Sequence, residues 1–107
     1  MRVLSNGVER FRDDVFPGLR SRFVQLTQGQ SPEVLFITCS DSRVDPSLIT
    51  QTEPGDLFVL RNAGNLVPLP GEDDGSASAI EYAVSALNVK HIVVCGHSGC
   101  GAMGGLL

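Results

Sequence analysis

Three short apolar runs, Val34-Leu35-Phe36-Ile37-Thr38, Leu57-Phe58-Val59-Leu60 and Ile92-Val93-Val94-Cys95, restrict this chain to few architectures. Each is too short for a core helix and rich in β-branched or aromatic residues, so each reads as a strand buried on both faces. The segments between them have helical character. Val44 to Ile49 is a turn and a short helix with Pro46 at its start, and Ser76 to Leu87 is a helix presenting Ile80, Ala83, Val84 and Leu87 on one face. Pro54-Gly55-Asp56 is a turn into the second strand and Asn88 closes the second helix. Ahead of the first strand, Val8, Phe11, Val15, Phe16, Leu19, Phe23 and Leu26 recur at three and four, which predicts two helices broken near Pro17-Gly18. The order helix, strand, helix, strand, helix, strand predicts an α/β fold, a mainly parallel sheet with helical crossovers in three layers. One domain is expected over residues 1–107, with residues 1–28 a helical arm that covers the sheet or packs on a second subunit. The sequence stops at Leu107, where a helix should follow the third strand, so the domain reads as C-terminally incomplete.

Each strand ends in polar or reactive side chains. The first run leads into Cys39-Ser40-Asp41-Ser42-Arg43, the second into Arg61-Asn62-Ala63-Gly64-Asn65, the third into Gly96-His97-Ser98-Gly99-Cys100-Gly101. Ligands of open α/β sheets gather at the carboxyl ends of the strands. If the first and third strands are parallel neighbours, Cys39, His97 and Cys100 meet there, two sulfurs and an imidazole of the kind that hold zinc with one position open. Plainer readings exist for each residue. A cysteine at a strand end can fill a core, Asp41 and Arg43 can be an ordinary loop salt bridge, and Cys95, inside its strand, reads as a buried core residue. His91 reads as a surface residue at a strand start. The acidic run Glu72-Asp73-Asp74 reads as solvated charge ahead of a helix N-terminus, where it meets the helix dipole favourably.

Composition narrows the partners. The 107 residues carry twelve acidic against eight basic side chains, a formal charge of -4, which argues against nucleic acid and against an anionic membrane surface. No apolar run is long enough to cross a bilayer, and the charged beginning, MRVLSNGVERFRDDV, lacks a signal peptide's apolar core. Three cysteines without dense spacing point to metal or catalytic use in a reducing compartment, and the cytoplasm is the expectation. A chain this short buries a modest share of its surface, so an oligomer is expected.

A rival of another class is dinucleotide binding, since Gly99-Cys100-Gly101-Ala102-Met103-Gly104 satisfies G-x-G-x-x-G after a predicted strand. That fingerprint normally opens the first strand-helix unit and is followed about twenty residues later by an acid. Here it comes after the third strand, and it leaves Cys39, Asp41 and His97 without a purpose.

The segments C-S-D-S-R-V-D-P at Cys39 to Pro46, R-N-A-G-N at Arg61 to Asn65 and E-Y-A-V-S-A-L-N-V-K-H-I-V-V-C-G-H-S-G-C-G at Glu81 to Gly101 resemble the signatures of the β-class carbonic anhydrases, over the chain from about Gln30 onward. The resemblance implies zinc held by Cys39, His97 and Cys100, and reversible hydration of carbon dioxide to bicarbonate and a proton. It makes Asp41 the carboxylate that either binds zinc or accepts a hydrogen bond from the metal's water, with Arg43 as its partner. It places Gln30, Phe58, Ala63 and Tyr82 around the carbon dioxide pocket, partly across a homodimer interface. Two alternatives stay open beside it: hydrolysis of carbonyl sulfide or carbon disulfide on the same fold, and a non-catalytic or vestigial zinc module.

Overall fold

The computed structural model describes residues 1–72 and 75–105 of the chain. Asp73 and Asp74, which complete the acidic run, and the final Leu106-Leu107 lie outside the described residues. The chain divides into two units, Met1–Gln30 and the portion from Ser31 onward.

The first unit is helical: α1 (Arg2–Arg10), a π-helical turn (Phe11–Val15) and α2 (Phe16–Leu26). The expected break near Pro17-Gly18 lies one turn earlier and takes another form. Pro17 has no N–H to give the carbonyl of Asp13 and its ring crowds that oxygen. The chain widens just before it, with the Phe16 N–H bonding Phe11 O, and Pro17 then sits in the first turn of α2. A widened turn of this kind lets a helix pass an obstacle without ending. Phe11, Phe16 and Phe23 stack on one another, with centroids 6.0, 6.3 and 5.5 Å apart.

The second unit holds β1 (Val34–Cys39), α3 (Pro46–Thr50), β2 (Leu57–Asn62), α4 (Gly75–Glu81) continued by a π-helical turn (Tyr82–Ala86), β3 (His91–Cys95) and α5 (Gly101–Gly105). The sheet is parallel, in the order β2-β1-β3. Asp45 caps α3 by accepting from the Leu48 N–H at 3.3 Å, and Pro46 occupies the first turn, where a missing N–H costs nothing. Asn88 ends the α4 segment with a left-handed φ of 54°, a conformation asparagine tolerates better than most residues.

Leu35 and Ile37 of β1, with Ala83, form the core, and Phe58, Leu60, Ile80 and Val89 pack against it. Register explains the selection: Leu35 lies opposite Phe58 and Ile37 opposite Leu60, so these residues share the face that Ala83 covers. Thr38, fully buried, satisfies its hydroxyl on Cys95 O at 3.0 Å. Two expectations change here. Val84 is exposed rather than part of the inner face. β3 is exposed along its length, so Cys95 is half-buried instead of a core filler, because β3 is an edge strand on the side of β1 away from β2.

Candidate metal centre

The chain leaves β1 on one side to form β2 and returns on the other to form β3, so the strand order reverses at β1. In an open parallel sheet such a reversal leaves a crevice at the carboxyl ends of the diverging strands. Cys39 is the last residue of β1 and is buried. His97 and Cys100 belong to the turn after β3. One donor atom each from Cys39, His97 and Cys100 lie within 4.8 Å of one another. The two sulfurs are 3.9 Å apart.

The tautomer of His97 is set by its neighbour. Nδ1 is 2.9 Å from Ser98 O, and a carbonyl can only accept, so Nδ1 carries the proton and Nε2 keeps its lone pair. That Nε2 is buried without a hydrogen-bond partner. A buried nitrogen lone pair left bare beside two thiols is costly, and the donor set, two soft sulfurs and an imidazole, is the one that suits zinc. The residues therefore fit the metal.

Electrostatics agree with the geometry. The Cys39 thiol is lowered to about 6, first by the N–H of Gly64 on its sulfur, then by His97, with further help from the Asp41 N–H and Cys100, against the opposing effect of burial. His97 is raised, first by Cys39 and then by the Ser98 carbonyl. Arg43 grips Asp41 as a fork, Nε to Oδ1 at 2.9 Å and a terminal nitrogen to Oδ2 at 2.7 Å, while the Arg43 backbone N–H adds a bond to Oδ1 at 2.8 Å. These bonds hold the carboxyl well below the ordinary carboxylate range and raise the guanidinium. Arg43 also donates to Gly99 O at 3.0 Å, tying the loop after β1 to the turn after β3. Asp41 Oδ2 lies 3.8 Å from His97 Nε2, so the carboxylate borders the cluster.

Of the remaining residues singled out from the sequence, Phe58, Ala63 and Tyr82 lie in the second unit. Phe58 and Tyr82 stack, centroids 5.8 Å apart, with Phe58 against the core and Tyr82 half exposed. Ala63 lines an open groove with Leu66, Val67 and Glu72. Gln30 is an exposed residue of the first unit.

Other residues around the centre carry no individual signal in the sequence. Arg61 donates to three backbone carbonyls at the end of β1 and in the loop after it: Cys39 O at 3.0 Å, Asp41 O at 2.9 Å and Val44 O at 2.8 Å. Asn62 closes the turn that brings Gly64 to the Cys39 sulfur. The signal available was the R-N-A-G-N run itself, polar groups and a glycine directly after a strand.

Comparison with known proteins gives one consistent family. The carbonic anhydrase family model matches residues 34–107. A carbonic anhydrase of Synechococcus elongatus is 59% identical over 108 aligned positions, which span 100% of this chain and 40% of that protein. Among solved structures, the β-carbonic anhydrase CcaA superposes with a TM-score of 0.97 at 56% identity, covering 100% of this chain and 52% of that one. One of the tetrameric β-carbonic anhydrases of Sordaria macrospora superposes with a TM-score of 0.72 at 43% identity, covering 99% of this chain and 50% of that one. The chain thus spans about half the length of the relatives it matches. With the family match over most of its length and its parallel sheet, this chain belongs to the carbonic anhydrase family, in the β class.

Proposed function

We propose that Cys39, His97 and Cys100 hold one zinc ion and that the site hydrates carbon dioxide reversibly to bicarbonate and a proton. The observation that carries this reading is the cluster of three soft donor atoms within 4.8 Å, one of them the buried, unpartnered Nε2 of His97. When bound at three protein ligands, zinc supplies a Lewis acid and lowers the pKa of water to about 7. The chain's own groups do the rest. Cys39 and Cys100 as thiolates and His97 as a neutral imidazole would hold the ion by three protein donors. Asp41, fixed by Arg43 and bordering His97, retains a lone pair with which to accept the hydrogen of the attacking water and so orient it. Arg43 keeps that carboxylate ionised and prevents it from acting as a stray base.

Carbon dioxide is small and uncharged, so its pocket needs apolar walls and a single polar contact. Phe58, Ala63 and Tyr82 are proposed as walls, with Gln30 as the polar contact supplied across a homodimer interface. Further support for assembly as a homodimer or larger homo-oligomer comes from the tetramers among the relatives and from the exposed apolar residues of β3. A reducing, cytoplasmic setting suits three free cysteines. Among the described residues no helix is long and apolar enough to cross a membrane.

The test is a zinc count alongside a direct assay of carbon dioxide hydration. About one zinc per chain is expected, with Cys100→Ser losing most of it and Cys95→Ser keeping it. Unchanged zinc in Cys100→Ser would overturn the ligand set. Full zinc without turnover would reduce the site to a metal-binding module.

A further inference from the structure

Asn62 is the last residue of β2, opposite Cys39 in the sheet register, and its carbonyl accepts from the Ser40 N–H at 2.8 Å. The root of the turn after β2 is thereby fixed to the end of β1. Across the turn, the side-chain amide of Asn62 grips a single residue twice: Oδ1 accepts from the Leu66 N–H at 2.7 Å and Nδ2 donates to Leu66 O at 2.8 Å. That closure holds Gly64 and Asn65 at φ of 95° and 48°. Gly64 is buried, and its N–H points at Cys39 Sγ over 3.3 Å.

We propose that Asn62 is a positioning residue for the metal centre, holding the Gly64 N–H against the sulfur of Cys39 so that this bond fixes the direction and donor strength of the thiolate. The proposal rests on the zinc reading. A thiolate has lone pairs beyond the one it gives a metal. A fixed N–H directed at one of them restricts rotation of the sulfur about Cα–Cβ and withdraws electron density from it. Hydrogen bonds of this outer kind orient ligands and tune the metal. Only asparagine's planar amide offers an acceptor and a donor to Leu66 together at this reach; aspartate keeps the acceptor and loses the donor, and alanine loses both.

The experiment uses the full chain loaded with cadmium and, separately, with cobalt. In the parent protein, scalar coupling between the cadmium nucleus and the Gly64 amide proton is expected, since such coupling passes through an N–H···S bond. Asn62→Ala should abolish the coupling, move the sulfur-to-cobalt charge-transfer band to lower energy and weaken metal affinity about 10–100-fold. Asn62→Asp should fall between parent and alanine on each measure. Should Asn62→Ala fail to fold, Asn62→Asp carries the same comparison. A parent that takes up cadmium through its thiolates but shows no coupling at Gly64 overturns this inference alone, as does an unchanged band in the substituted protein. A parent that takes up neither metal overturns the zinc reading itself.

Discussion

Asp41 is the residue on which two roles converge, since both its oxygens are held by Arg43 while Oδ2 lies 3.8 Å from the bare Nε2 of His97. Carboxylates are acceptable zinc ligands, so removing the guanidinium leaves Asp41 free to take the open position that water needs. Arg43→Ala is expected to keep its zinc and lose about 10–100-fold in turnover, the usual range for loss of an outer partner. Lysine restores the charge without the fork and should rescue only in part. X-ray absorption of the zinc-loaded alanine variant checks this: a water oxygen at the metal with normal turnover would leave Asp41 and Arg43 an ordinary loop salt bridge. The same pair predicts a pH dependence of stability. Asp41 is held below the ordinary carboxylate pKa of about 3.9 by the Arg43 bonds. Its contribution is therefore fully present above that value and is lost as pH falls through the depressed one. In metal-free protein, the stability difference between the parent and Asp41→Asn should shrink as pH falls below about 4. Denaturant titrations at each pH measure it; a difference that stays undiminished through that acid range would refute the assignment.

Among the elements, the strands and the donor residues at their ends were legible because their signals are local. An apolar run bounded by polar residues marks β1, and Cys39 at its end needs only the parallel pairing with β3 to meet His97 and Cys100. The turn after β2 was not legible in the same way. Arg61 and Asn62 act on backbone carbonyls and N–H groups, which every residue carries, so no partner in the sequence announces them. The π-helical turns at Phe11–Val15 and Tyr82–Ala86 escaped for a different reason. One extra residue per turn barely disturbs a three-and-four apolar pattern, and only the hydrogen bonds, such as Leu87 N–H to Tyr82 O at 3.1 Å, reveal it. The role of the turn after β2 can be probed at Gly64. Its φ of 95° is one that side chains rarely adopt, and a Cβ there would lie 3.4 Å from the Met103 sulfur. Gly64→Ala should cost about 1–3 kcal/mol, the range for a residue held in a sparsely populated backbone region. Chemical denaturation measures this, and a loss well under that range would mean the turn relaxes without strain.

At the scale of the whole molecule, the unexpected feature is β3. Its sequence reads as a buried strand, yet Ile92 is 53%, Val93 39% and Val94 52% exposed. Ile92 and Val94 share the face of Leu35 and Ile37, but the residues packed against that face cover β1 and β2. The surface that an apolar strand is buried against cannot be read from the strand itself, and the core cluster of the second unit includes no residue of β3. An exposed apolar edge strand offers unpaired backbone groups and water-averse side chains together, the combination that drives edge-to-edge pairing. Residues 1–107 in isolation are therefore expected to self-associate, with a sedimentation profile that shifts to larger species as concentration rises. Ile92→Lys places a charge on that edge, a device by which natural sheets resist such pairing. Ile92 pairs with Leu35, whereas Cys39 lies at the far end of β1, so the substitution should shift the profile to smaller species while leaving zinc content unchanged. A cooperative, concentration-independent thermal transition of the unsubstituted monomer would show instead that the exposed strand is tolerated in water and that association must be sought on another surface.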